Sequence, residues 1–289
     1  MEGTVENIVE ESEGEEEVKE ESVEDEWIIT IDDPSAEDLD FNQSRIRKLQ
    51  NLESLSQIQT LGFRQNLIKK IEGLDSLTTL VDLSLYDNQI SVIEGLESLL
   101  NLEILDLSFN RIRKIQGIGH LTKLRKLYLC DNKITKIENI STLSGLTCLE
   151  LGSNRIRSNR IVKIENLESL VNLDQLYISH NGIERIEGIP AKDKMTTIDL
   201  AGNRISSLDG LDGMKVLEEV WMNDNQVSDW HEIDKLSPLT ALHTVYMERN
   251  PIWNDPDEPH RGSPHYRRKM MLALPQLKQL DATPTMAGH

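Results

Sequence analysis

The sequence predicts an α/β solenoid: a curved parallel β-sheet on a concave face, with short 3₁₀, α-helical or extended segments returning along the convex face. Three observations predict it. Asparagines recur as Asn66, Asn88, Asn110, Asn132 and Asn154, each 22 residues apart, then as Asn181, Asn203, Asn225 and Asn250 after steps of 27, 22, 22 and 25. Aliphatic residues keep fixed offsets around each asparagine: Leu102, Leu105, Leu107, Ile112, Ile115, Ile118 and Leu121 surround Asn110, and Leu124 restarts the pattern 22 residues after Leu102. Finally, apolar residues make up 38% of the 289-residue chain but aromatics only 4%, so leucine and isoleucine must carry the burial. A unit this short cannot cover its own apolar face and must stack on copies of itself.

Each part of the unit has a physical reason. Leu105 and Leu107 alternate with Asp106, the period of a strand with one face buried. Asn110 ends the strand, where a buried amide can satisfy backbone groups that the turn leaves unpaired. Ile112, Ile115, Ile118 and Leu121 return at a spacing near three, which suits 3₁₀ or extended segments. The pattern L-x-x-L-x-L-x-x-N-x-I is that of a leucine-rich repeat. Ser44 takes the asparagine slot in a degenerate first copy with Leu39, Phe41, Ile46 and Leu49.

Taken in order, residues 1–33 carry fifteen acids and one lysine, net −14 of the total −19, and read as a disordered acidic tail. Within them, Trp27–Ile31 is β-prone and suited to covering the first repeat. Residues 34–250 form the array of about ten repeats. At residues 153–161, SNRIRSNRI, the tetrad SNRI occurs twice and two ladder phases meet five residues out of step. We read the junction as a loss of about two repeats from a longer array, with Asn154 holding the ladder and Ser158–Arg160 looping out. The flanking strands are expected to pair. Residues 251–289 form a cap: a proline-rich turn segment, a short helix over Tyr266–Leu274 closed by Pro275, and a last partial repeat.

Composition excludes several function classes. The basic residues are not clustered as a nucleic-acid footprint requires, and no apolar run is long enough to span a membrane. The acidic start is unlike a secretory signal. Cys130 and Cys148 fall about 13 Å out of register at roughly 3.3 Å per residue, too far for a disulfide, which points to a reducing compartment. The seven histidines are scattered, and no metal or other cofactor is expected. No phosphate loop, HExxH, paired-cysteine motif or GxSxG occurs, so the chain reads as a binding protein and not an enzyme.

The binding surface can be placed from strand alternation. Residues between the two core positions point to the concave face: Asp40, Gly62, Ser84, Asp106, Tyr128, Glu150, Tyr177, Asp199, Trp221 and Tyr246. Arg64, Tyr86, Lys126, Cys148, Gln175, Glu219, Asn223 and Glu248 flank them. Exposed tyrosine and tryptophan have no structural need on a solvated sheet, whereas interfaces are enriched in them. Their alternation with acids suits a protein partner with apolar and basic surface.

Specific strings go beyond the repeat: LGFRQNLI (61–68), SLYDNQI (84–90), LELGSNRI (149–156), LYISHNGIERIEG (176–188), VWMNDN (220–225), VYMERNP (245–251) and YRRKMMLALP (266–275). With these the chain resembles the leucine-rich-repeat regulatory subunits of protein phosphatase 1, the regulatory subunit 7 family. The resemblance implies a non-catalytic subunit that binds the phosphatase 1 catalytic subunit on its concave face and modulates its activity, maturation or targeting. It implies contact positions at Asp106, Tyr128, Glu150, Asp199, Glu219, Trp221 and Tyr246, to which the strand pattern adds Tyr177. It further implies a nuclear and cytoplasmic location and a ternary complex with a second, inhibitory subunit. The chain by itself is expected to be a monomer, without nucleic-acid or membrane partners. The alternative is another intracellular repeat scaffold with a ribonucleoprotein, histone or cytoskeletal partner.

Overall fold

The computed structural model describes residues 4–8, 26–153, 161–258 and 261–285. Twelve strands form one sheet in strict chain order: β3 (Asp38–Asp40), β4 (Thr60–Gly62), β5 (Asp82–Ser84), β6 (Ile104–Asp106), β7 (Lys126–Tyr128), β8 (Cys148–Glu150), β9 (Gln175–Tyr177), β10 (Thr197–Asp199), β11 (Glu219–Trp221), β12 (Thr244–Tyr246), β13 (Gln279–Leu280) and β14 (Thr283–Pro284). All neighbours from β3 to β13 are parallel, and β13–β14 closes the sheet as an antiparallel pair. The predicted solenoid is therefore the fold. Each strand is short because only one core residue lies between the two that face out. Further backbone bonds, such as the Leu107 amide to the Tyr128 carbonyl at 2.9 Å, extend the pairing into the turn.

The core is the aliphatic set read from the sequence. Leu102, Leu105, Leu107, Ile112, Ile115, Ile118, Leu121 and Leu124 are all fully buried. Fully burying one such side chain contributes about 1.5–3 kcal/mol, and each copy does so against the copies on either side. On the convex face the chain advances in three-residue turns: the Leu121 amide donates to Ile118 at 3.0 Å and the Leu124 amide to Leu121 at 3.0 Å. Gly117 stands just before this run at φ 65°, where a Cβ would stand 2.6 Å from the Ile93 carbonyl oxygen of the previous turn. Asn139 takes that slot in the next repeat at φ 60° and turns the close approach into a hydrogen bond, its Nδ2 lying 2.7 Å from the Ile115 carbonyl.

The asparagine ladder satisfies the backbone as expected. Asn110 Oδ1 accepts the Ile90 amide at 2.9 Å, while its Nδ2 donates to the carbonyls of Leu85, Leu107 and Ser108 at 2.9–3.1 Å. Asn66, Asn88, Asn132, Asn181, Asn203, Asn225 and Asn250 repeat the arrangement. At the ladder's start the Ser44 amide donates to Asn66 Oδ1 at 3.1 Å.

The N-terminal end departs from the sequence reading. Disorder over residues 1–33 is corrected at β1 (Thr4–Ile8) and β2 (Glu26–Thr30), which pair antiparallel. The β-branched run Ile28–Ile31 favours extended backbone, and Ile29, 1% exposed, joins the core as part of the N-terminal cap. Its carbonyl accepts Asn51 Nδ2 at 3.4 Å. At the other end, α1 (His231–Asp234) sits in the repeat lengthened to 25 residues, and α2 (Tyr266–Ala273) covers the last turn. Tyr266, Met270 and Leu274 are buried there, and the Trp230 and Tyr266 rings meet at 6.2 Å. The Arg267 guanidinium donates to the carbonyls of Leu280, Thr283 and Pro284, tying the helix to the closing hairpin. Lys269 Nζ stands 5.0 Å over the Trp230 ring, a cation–π contact. Of the junction, β8 and β9 pair in register as expected, whereas Asn154 and Ser158–Arg160 lie outside the described residues.

Candidate protein-interaction face

Stacking without a shift in register sets the site. Asp106, Tyr128, Glu150, Tyr177, Asp199, Trp221 and Tyr246 are Cα partners from strand to strand, one residue each from β6 to β12. Neighbouring strands lie about 4.8 Å apart, so the structure brings seven of the eight sequence-derived residues into one continuous row. Glu219, the eighth, opens β11 two residues before Trp221. The side chains beneath the row, such as Leu105, Leu127 and Leu149, are fully buried and fix its backbone.

Two kinds of acid occupy the row. Asp106 and Asp199 each accept the backbone amide two residues on, Ser108 at 3.0 Å and Ala201 at 2.9 Å, as Asp40 does for Asn42 at 2.8 Å. An aspartate is the right length for that local turn. Asp199 is also buried, which the sequence reading of an exposed contact did not foresee: it is 7% exposed. Glu150 is one methylene longer and accepts no backbone amide. Burial pushes its carboxyl up, and the charges of Asp106 and Asp199 on either side add to the rise. None of these three carboxylates forms an ion pair with a described residue, so the row holds unneutralised negative charge.

The aromatics behave differently from one another. Trp221 and Tyr246 pack ring against ring across β11 and β12, centroids 5.4 Å apart and planes tilted by 54°, and the Tyr246 hydroxyl accepts Gln279 Nε2 at 2.6 Å. The Trp221 indole N–H is covered and has no hydrogen-bond partner. Tyr128 and Tyr177 are separated by the strand that carries Glu150, so mutual stacking does not account for them. Both are half-buried, and burial pushes the Tyr128 hydroxyl up to about 12. Cys130 and Cys148 are free thiols, driven by burial up to about 12 and about 11. Thiols so protonated are poor nucleophiles. No group of three or more His, Cys, Asp or Glu among the described residues could hold a metal ion.

One feature of this face escaped the sequence reading. Phe109, between β6 and Asn110, lies against Tyr86 with ring centroids 4.9 Å apart. Its signal was available: Phe109 is the one aromatic in the slot before a ladder asparagine.

A family model described as "Leucine-rich repeat" matches residues 155–285, and one described as "Leucine Rich repeats (2 copies)" matches residues 78–120 and 122–158. The chain is a leucine-rich-repeat protein. Solved structures agree in fold: an LRR protein of Leptospira interrogans superposes with TM-score 0.68 at 23% identity, covering 83% of this chain and 59% of its own. An internalin of Listeria monocytogenes gives 0.57 at 23% identity, covering 86% and 61%. Among curated relatives, protein phosphatase 1 regulatory subunit SDS22 of Schizosaccharomyces pombe is 45% identical over 75 residues, 25% of this chain and 20% of that protein. Human protein phosphatase 1 regulatory subunit 7 is 46% identical over 57 residues, 20% of this chain and 14% of that protein. The matched repeats thus span a fifth or less of these relatives, and they support the resemblance of this leucine-rich-repeat protein to phosphatase 1 regulatory subunits.

Proposed function

We propose that this chain is a non-catalytic regulatory subunit that clamps the catalytic subunit of protein phosphatase 1 with its concave face. One observation carries the reading: an in-register row of acids and aromatics, the acids without cationic partners and two of the aromatics without stacking partners. Such a row is electrostatically incomplete alone and complementary to a surface with basic and apolar residues. Tyr128, Glu150, Tyr177, Glu219, Trp221 and Tyr246 supply contact, while Asp106 and Asp199 hold their turns and contribute field. No chemistry is assigned to these groups; the subunit acts by occupying and orienting its partner. Its action on activity, maturation or targeting belongs to the same proposal, as do the ternary complex with an inhibitory subunit, the monomeric free state, and residence in nucleus and cytoplasm.

The test is direct binding of the purified full chain to the phosphatase 1 catalytic subunit by interferometry. Capture by wild type, weakened tenfold or more by Glu150→Lys, is expected, since charge reversal in a row that the partner covers costs about 1.4 kcal/mol or more. Failure of the wild type to bind would overturn the proposal.

A further inference from the structure

The position before each ladder asparagine adopts left-handed backbone, because the chain must turn its asparagine inward there. Gln65, Asp87, Phe109, Asp131, Ser153, His180, Asp224 and Arg249 all have φ between 51° and 58°. Polar residues fill this slot except at Gly202 and Phe109. Left-handed backbone is tolerated by glycine, asparagine and aspartate and is unfavourable for a bulky side chain. Phe109 therefore bears a conformational cost, and burial does not offset it, since the residue is 38% exposed. Its ring packs on Tyr86, itself held at the edge of the row by β5. The surroundings are acidic: Asp87, Asp106 and Asp131 are all close enough to act on the Tyr86 hydroxyl.

We infer that Tyr86 and Phe109 form a second anchor on the face, receiving an apolar side chain flanked by lysine or arginine on the phosphatase catalytic subunit. This rests on the proposed function and adds a site to it. Continuity with the row supports it, because Asp106 lies in the strand that leads into Phe109. The pair is six strands from the pair Trp221 and Tyr246, about 29 Å at 4.8 Å per strand. One partner can thus be held at both ends, with Glu150 between. The acidic rim selects a basic flank on the incoming segment.

The experiment compares wild type, Trp221→Ala and Phe109→Asn, each as the full chain, for phosphatase binding and thermal unfolding. Asparagine suits left-handed backbone, so Phe109→Asn is expected to melt at or above the wild-type midpoint while binding about tenfold more weakly. A residue kept for folding would give the opposite pair of results. Binding equal to wild type, with Trp221→Ala weakened, overturns the second anchor alone. No binding by wild type overturns both readings. Should Phe109→Asn not fold, Tyr86→Ala, which has ordinary backbone, is read in its place: weakened binding supports the anchor and unchanged binding overturns it.

Discussion

The amide of Ile161 donates to the side-chain oxygen of Asn181 at 3.2 Å, twenty residues away, while the same asparagine reaches back thirty residues to the Leu151 carbonyl at 3.1 Å. In a regular repeat the two spans are twenty and twenty-five, as for Asn132 with Ile112 and Leu107. The five extra residues therefore all fall between Leu151 and Ile161. By contrast, the spans at Asn250 are twenty-three and twenty-eight, so its three extra residues lie after Val227, where α1 forms.

This asymmetry makes the junction removable. Deleting residues 154–158 joins Ser153 to Asn159 and restores a 22-residue step to Asn181. The shortened protein is expected to be more stable by about 1 kcal/mol, from the smaller loop and a regular turn. Thermal unfolding checks it; a lower midpoint would mean that the extra residues contribute packing of their own.

Replacing Asn110 by alanine would strand the Ile90 amide and leave the Leu85, Leu107 and Ser108 carbonyls without the side-chain donor. With buried groups left unpaired, roughly 3 kcal/mol of stability should be lost. Urea denaturation measures it. A loss below about 1 kcal/mol would indicate that water enters and replaces the amide.

Trp221→Ala removes half of the tilted ring pair with Tyr246 but no core contact of the Leu or Val type beneath it. Phosphatase binding should weaken by about 2 kcal/mol or more, on the scale of interface hot spots. Circular dichroism should be unchanged. Wild-type affinity in this variant would exclude Trp221 from the interface.

Stability should carry a pH signature from Glu150. Burial raises its carboxyl in the folded state, so the folded protein binds a proton more readily than the unfolded chain does. Stability from this group is therefore gained as pH falls through the raised value and is fully present below the unfolded one. Asp224 acts oppositely: its bond to Arg249 holds it below the carboxylate range, so its contribution is lost as the solution is acidified. Glu150→Gln should remove the first component only. Its stability relative to wild type should be greatest at neutral pH and shrink on mild acidification. A pH-independent difference would show that Glu150 ionises normally.

Whatever the repeat repeats can be read from the amino-acid order. A 22-residue period tells which residues are neighbours, because stacking converts a fixed sequence offset into a fixed spatial one. That is why the ladder from Asn66 to Asn132, the core of Leu105 and Ile112, and the row from Asp106 to Tyr246 are legible in the sequence. What lies outside the period depends on how the chain packs. The β1–β2 pairing, the embrace of the closing hairpin by Arg267 and the packing of Trp230 on Tyr266 join residues with no repeated offset. The burial of Asp199 and the raised carboxyl of Glu150 depend on solvent access and on the sum of neighbouring charges. Phe109 stands between the two: its place in the ladder was visible in the sequence, but its left-handed backbone, its exposure and its contact with Tyr86 arise from how two adjacent turns pack.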